Sequence, residues 1–485
     1  MFNSTLNASR VRTCMLALLL AAPLSACMVG PDYRRPEVDV PAAWRLGATE
    51  AGELSNIAWW DQFQDPVLSN LVRTALANNK DLEIATANVD QAFAQYGIVR
   101  SAQFPQLNAS ASAARERSSA NTVLPGGRTF SDYGVNLSAS FELDVWGKLR
   151  RATESARASL LASEQGKGTV VLTVVTTVAS GYIQLRALDR QLEIAQRTSQ
   201  SLGEAARLQR VRFEEGAVPA SDYQQAESQY REALARVPEL EREIAQQENF
   251  ISVLLGHNPG LVPRGRDIDA LLFPAVPDGL PASLLQRRPD IRQAEQNLIA
   301  ANANIGVAKA AYFPDISLTA LLGLESAQLS DLFKGPSRAW SFGAGVLQPI
   351  FNAGRLRSQV AQAEAVQRQA LHTYEKSIIS AFQDVENALI DRTKFGQVRE
   401  EQAKNVEALR SFRDLADLRY REGATIYLEV ANAEQSLFNA QLAYVATQAL
   451  LFQSYANLYK ATGGGWVDQA EELVGKSLAG DQESK

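Results

Sequence analysis

Residues 133–145 read Tyr133-Gly134-Val135-Asn136-Leu137-Ser138-Ala139-Ser140-Phe141-Glu142-Leu143-Asp144-Val145. The large or apolar side chains fall on odd positions, and Asn136, Ser138, Ser140, Glu142 and Asp144 interleave with them. Period two is the mark of a strand with one apolar and one polar face. The run passes ten residues, the length a tilted strand needs to cross a bilayer. Three more stretches behave alike: Leu107, Ala109, Ala111 and Ala113; Ile316, Leu318, Ala320, Leu322 and Leu324; Trp340, Phe342, Ala344 and Val346. A half-buried soluble sheet has the same period. Here the polar faces carry Asn, Ser, Thr and Gly with few long charges, which favours lipid on one side and water on the other. The loops from Glu116 to Arg128 and from Ser326 to Ser337 would then face the exterior.

Outward from these strands the chain repeats itself. Asp81-Leu82, Ala94, Gly97, Ala102 and Phe104-Pro105 return as Asp290-Ile291, Ala303, Gly306, Ala311 and Phe313-Pro314. Gly147-Lys148-Leu149-Arg150 returns as Gly354-Arg355-Leu356-Arg357, and Arg212-Phe213-Glu214-Glu215-Gly216-Ala217 as Arg419-Tyr420-Arg421-Glu422-Gly423-Ala424. Three matches in one order point to a tandem duplication. Each copy is expected to run helix, strand, strand, long helix, turn, helix. The expected boundaries are 63–270 for the first repeat and 271–466 for the second, with an extended segment at 27–62 and a tail at 467–485.

No proline occurs from Lys148 to Val218 or after Pro349. Proline breaks helix interiors, so these windows admit very long helices. Leu185, Leu188, Leu192, Ala195, Ser199, Leu202 and Ala206 follow the 3-4 spacing of a coiled-coil seam. Gly166, Gly168 and Gly181 are expected to weaken or interrupt the first long helix, and Pro238 to kink the next. Gly216 and Gly423 sit where C-cap glycines end helices, marking hairpin tips at the far end from the strands.

Composition narrows the function. The 485 residues carry 48 Lys+Arg and 54 Asp+Glu, a formal charge of −6, with 46% hydrophobic and 21% charged residues. Mild acidity argues against nucleic acid, and no apolar run reaches the ~18 residues of a spanning helix. Arg10 and Arg12 precede a short apolar stretch ending in Leu24-Ser25-Ala26-Cys27. This reads as a secretory signal over 1–26, and its end resembles the bacterial lipobox, which implies that Cys27 becomes the lipidated first residue of the mature chain, carrying diacylglycerol and N-palmitoyl. Met28 follows where an inner-membrane retention signal has Asp, so sorting to the outer membrane is expected. Cys14 leaves with the signal, which removes any disulfide framework. The two histidines, His257 in a turn and His372 in a helix, have no partner pattern for catalysis, metal or cofactor, so an enzyme is not expected. Gly166-Lys167-Gly168 lies in a helix pattern and makes no phosphate loop.

Four strands cannot close a barrel, and open sheet edges are not tolerated in hydrocarbon. Membrane strands therefore force oligomerisation. Two protomers give eight strands with a filled interior, and three give twelve with room for water. The chain resembles the TolC/OprM-type outer-membrane factors, lipoprotein (NodT-like) branch, over essentially all of its mature length. The resemblance rests on Gly30-Pro31-Asp32-Tyr33, Trp59-Trp60 through Asp65-Pro66, Arg288-Pro289-Asp290-Ile291, Tyr312-Phe313-Pro314, Arg419-Tyr420 with Gly423, and Leu458-Tyr459-Lys460-Ala461 with Gly463-Gly464-Gly465-Trp466. It implies a mixed α/β membrane protein: a homotrimer with a twelve-stranded transmembrane barrel continued by a helical periplasmic tunnel. It also implies a periplasmic membrane-fusion adaptor and an inner-membrane pump of the resistance-nodulation-division class, and hence a passive exit duct for drugs or toxic compounds.

In such proteins the tunnel closes at its periplasmic tip. Leu428 falls where relatives place a leucine ring, and the usual aspartate position is Asn432. Asp222 is the substitute acid, or else a charge favoured by its helix N-terminus; Leu428 could equally be hairpin packing. Arg212 and Arg419 are expected to brace the tips through Glu215 and Glu422. Other readings are an outer-membrane component for metal cations or type I secretion, a self-contained porin, and a lipid-anchored coiled-coil scaffold that conducts nothing.

Overall fold

The computed structural model describes residues 28–41, 44–45, 58–119, 121, 129–275 and 284–464. The signal segment, Cys27 and the 467–485 tail lie outside the described residues. In chain order come α1 (Pro66–Asn78), α2 (Lys80–Ser101), β1 (Gln106–Arg117), β2 (Thr129–Glu142), α3 (Lys148–Glu214) and α4 (Ala220–Leu254). After one helical turn at Leu284–Arg287 follow α5 (Pro289–Ala310), β3 (Asp315–Ser326), β4 (Arg338–Leu347), α6 (Arg355–Arg421) and α7 (Tyr427–Ala461). The duplication is visible in the lengths. α2 and α5 each hold 22 residues, α3 and α6 each 67, and α4 and α7 each 35.

Contacts group the chain into two units, each drawing on both repeats: residues 1–37, 88–164 and 293–375 in one, and 38–87, 165–292 and 376–485 in the other. The first unit holds an antiparallel sheet of order β1-β2-β3-β4. Its register aligns Ala111 with Val135, Val135 with Leu324 and Leu324 with Arg338; four residues along, Leu107 faces Ala139, Ala139 faces Ala320 and Ala320 faces Phe342. Directly opposed residues share a face, so every alternating apolar set reaches the same side. β2 stops at Glu142, short of the alternation through Val145. There Asp144 turns its carboxylate onto the Leu149 and Arg150 amides at 3.0 and 2.9 Å, capping α3 rather than continuing the strand. β1 runs on to Arg117, into the expected first loop.

A strap at residues 28–37 fixes this unit. The Val29 amide donates to the Trp146 carbonyl at 3.0 Å, Arg151 grips Asp32 at 2.6 Å, and Arg35 pairs with Glu295 at 2.7 Å. Gly30, at φ +105°, crosses Gly306 of α5 so closely that a Cβ would lie 2.4 Å from the Gly306 Cα.

The second unit is built around α3. Its Val171, Val175, Val178, Tyr182 and Leu185 are buried with Trp59, Phe63, Leu68 and Phe452. Trp59 stacks on Tyr459 with centroids 5.2 Å apart, and Phe273 on Phe452 at 4.3 Å. Each such side chain contributes about 1.5–3 kcal/mol when fully buried. Asp65 caps α1 through the Val67 amide at 2.8 Å and also accepts from Tyr182 at 2.8 Å and the Arg266 amide at 2.9 Å. Burial, helped by that carboxylate, holds the Tyr182 phenol well above the ordinary range.

Two sequence expectations give way here. α3 is continuous through Gly166, Gly168 and Gly181. Gly181 admits α4: a Cβ there would lie 3.1 Å from Gln247 Nε2, which donates to the Gly181 carbonyl at 2.9 Å. α4 runs on past Pro238, which is exposed. α3 is also long and apolar enough to cross a membrane, with a window of mean hydropathy 1.4, against the expectation of none. Two-thirds of that window is buried, in keeping with a core helix. The seam predicted from Leu185 to Ala206 is buried throughout except at Leu192, which packs against the core from its edge.

Candidate functional site at the helical tips

Both hairpin tips end as predicted. Gly216 and Gly423 adopt φ +70° and +73°. The amides of Ala217 and Ala424 donate back to the carbonyls of Arg212 and Arg419 at 2.7 and 2.8 Å. These are Schellman closures, which need the left-handed backbone that glycine takes without strain. α4 and α7 then start within a few residues.

The four helices meet around a small core. Ala206 of α3, Ala226 of α4, Ala416 of α6 and Tyr427, Val430, Ala431 and Ala433 of α7 pack together, with Tyr230 and Tyr420 at the edge. Alanines at these places let the helices approach closely. Gln229, buried, donates to the Ala431 carbonyl at 2.7 Å and joins α4 to α7. Tyr420 lies against Tyr427 edge to face, centroids 5.5 Å apart. Burial first, then Tyr420, Glu434 and Asp222, pushes the Tyr427 phenol up to about 12. That hydroxyl stays neutral through physiological pH.

The charged residues pair differently from the sequence expectation. Arg212 donates to the Tyr420 hydroxyl at 2.9 Å, with its guanidinium 5.6 Å from that ring's centre. Gln209 donates to the same oxygen at 2.7 Å. Arg419 pairs with Glu429 at 2.6 Å, and Thr425 donates to the same carboxylate. Glu215 and Glu422 are not the partners: both lie exposed in the turns, where the backbone has left the helix. Nearly two turns of helix back along α6, Arg413 reaches Glu434 at 3.2 Å and Asp414 at 2.8 Å. Burial opposes that charge, but the two carboxylates outweigh it and hold the Arg413 pKa above its ordinary value.

Of the gate candidates, Leu428 and Asn432 share an exposed face of α7, one turn apart, with Leu428 46% exposed. Asp222 sits in the first turn of α4, half-buried, and accepts from Ser221 at 3.3 Å. Asp222 of α4 lies close enough to α7 to act on the phenol of Tyr427, the neighbour of Leu428. Sequence reasoning passed over Tyr420, Gln209, Gln229 and Glu429. The available signal was the repeat itself: Tyr420 occupies the place of Phe213, and Glu429 that of Asp222, so a hydroxyl and a longer acid distinguish the second tip.

Comparison with known proteins agrees with this fold. The model of the family described as "Outer membrane efflux protein" matches twice, over residues 71–257 and 280–464. The toluene efflux pump outer membrane protein TtgC of Pseudomonas putida is 38% identical over 92% of this chain and 94% of its own. The cation efflux system protein CusC of Escherichia coli is 34% identical over 93% of this chain and 98% of its own. The open-state outer membrane channel MtrE of Neisseria gonorrhoeae superposes with a TM-score of 0.83 at 32% identity, covering 91% of this chain and 99% of that one. With its double family match and near-full-length relatives, the chain belongs to the outer membrane efflux protein family and is the outer-membrane channel component of an efflux system, located in the outer membrane and extending into the periplasm.

Proposed function

We propose that three copies close their sheets into a twelve-stranded barrel whose long helices line a periplasmic tunnel, a passive duct shut at the tips. The observation that carries this reading is the sheet. It has one face that is apolar up to its loop end, and the outer sides of β1 and β4 are unpaired among the described residues. An edge of that kind in hydrocarbon needs another copy's strand, and twelve strands leave a wet interior where eight would be filled.

Cys27, lipidated, would anchor the strap one residue before Met28, which already packs against Gly147 at the foot of the sheet. Around the axis, Leu428 and Asn432 would supply the constriction and Asp222 an acidic contribution. The Arg212–Tyr420 and Arg419–Glu429 contacts hold the tips closed, and partner contact on residues 212–222 and 419–429 releases them. A periplasmic adaptor and an inner-membrane pump of the resistance-nodulation-division class would supply energy, so the chain itself performs no catalysis. The repeats 63–270 and 271–466 act as the two structural halves of each protomer. Cargo is proposed as apolar toxic compounds, because a toluene-efflux relative stands at 38% identity and a cation-efflux relative at 34%.

Deletion of the gene tests cargo: susceptibility to toluene and lipophilic antibiotics should rise several-fold, with copper and silver tolerance unchanged. The reverse pattern would favour the cation reading. Affinity capture of the cross-linked native assembly should bring down an adaptor and a proton-driven pump.

A further inference from the structure

Charge is segregated across the sheet. The register puts Arg115 and Arg117 of β1 and Arg338 of β4 on the apolar face, which carries no Asp or Glu. The opposite face carries Glu116, Asp132, Glu142, Asp315 and Glu325 and no Lys or Arg. All three arginines are exposed, and among the described residues none makes an ion pair. At the other end of the same sheet Arg150 holds Asp144 and Lys148 holds Glu142 and Asp315. The unpaired cations therefore gather at the loop end alone. Around them the same face turns polar, with Thr129 opposite Arg117, Ser131 opposite Arg115, and Ser326 opposite Tyr133. Below Arg338 on β4, Trp340 and Phe342 are 70% and 79% exposed, as side chains bordering hydrocarbon would be.

A guanidinium on a lipid-facing strand is unfavourable unless it meets an anion at headgroup level. β1 and β4 are the two edges of the sheet, so barrel closure joins the Arg115 and Arg117 edge of one copy to the Arg338 edge of the next. We propose that this seam, at the exterior end of the barrel, binds the phosphate groups of an anionic outer-leaflet lipid, with Arg115, Arg117 and the neighbouring copy's Arg338 as donors and Thr129 and Ser131 beside them. Arginine's planar fork suits phosphate oxygens. The site rests on the trimeric barrel, and the lipid would span two copies and hold the seam together.

The test uses the full-length lipoprotein in vesicles of phosphatidylethanolamine carrying either diphosphoryl lipid A or its dephosphorylated form, followed by native mass measurement in mild detergent. The native assembly should retain about three diphosphoryl lipid A molecules, one for each seam, and none of the dephosphorylated form. The triple variant Arg115→Gln, Arg117→Gln, Arg338→Gln should still assemble, with lowered heat stability, and retain at least about tenfold less lipid, in line with the loss of several charge-assisted contacts. Arg338→Lys, which keeps the charge, should keep the lipid. Equal retention by the triple variant, or equal retention of dephosphorylated lipid, would overturn the site. So would inorganic phosphate alone raising the heat stability of the assembly as much as the lipid does, since that assigns the arginines to a free ion. A native protein that is monomeric in the same spectra would instead refute the barrel.

Discussion

Tyr420 is where the two repeats part company. Its counterpart Phe213 lacks the hydroxyl and stacks on Tyr223 with centroids 5.9 Å apart, whereas Tyr420 receives both Gln209 and Arg212 of α3. Replacing it by Phe keeps the ring beneath Arg212 and removes the shared acceptor. Each hydrogen bond contributes about 0.5–1.5 kcal/mol, more where the donor is charged, so Tyr420→Phe should raise the basal conductance of the purified channel several-fold. No change in conductance would remove Tyr420 from the closure. Arg419→Ala should do less, because its side chain is half exposed in the pair with Glu429 and surface pairs give about 0–1 kcal/mol. Tyr427 makes a pH prediction. Its phenol is near 12 in the folded tip against about 10 unfolded. A raised pKa means the stabilisation is complete below about pH 10 and fades as pH climbs toward 12. The thermal unfolding temperature should therefore fall over that window, and Tyr427→Phe should flatten part of the decline.

At the scale of elements, much was legible in the sequence and the exceptions are instructive. Period two found all four strands, because a sheet with lipid on one side leaves the alternation clean. Proline-free windows found α3 and α6 to within a few residues, and the cap glycines found both tips. What failed was inference from intrinsic propensity. Gly181 looked like a weak point in α3 and proved to be a place where α4 comes close, a tertiary effect that outweighs about 1 kcal/mol of helix preference. The tip pairings failed because residues close in sequence, Arg212 and Glu215, lost to a residue of the other repeat, Tyr420. Local spacing carries no information about that choice. The strap was quoted as a motif, Gly30-Pro31-Asp32-Tyr33, without its function being readable. Its seat gives a prediction: Gly306→Ala puts a methyl 2.8 Å from the Val29 carbonyl and the Arg151 side chain. The strap should lift, and trypsin should cut after Arg34 in the variant while sparing the native protein. Equal cleavage rates would show that the strap does not depend on this crossing.

For the whole molecule, the charge pattern of the sheet sets the character of the pore. With Glu116, Asp132, Glu142, Asp315 and Glu325 on the water-facing side, and Lys148 pairing only Glu142 and Asp315 at its foot, the barrel should select cations. In a tenfold potassium chloride gradient the reversal potential should take the cation-selective sign, and Asp132→Asn with Glu325→Gln should reduce it; an anion-selective native channel would mean that the faces are reversed. All of this requires that separate copies complete one another's sheet. The most direct check is the mass of the particle extracted from the membrane in mild detergent. Closure of four-stranded sheets around a wet lumen predicts three chains per particle, persisting to high temperature, whereas a particle of one chain, or of two, would contradict it.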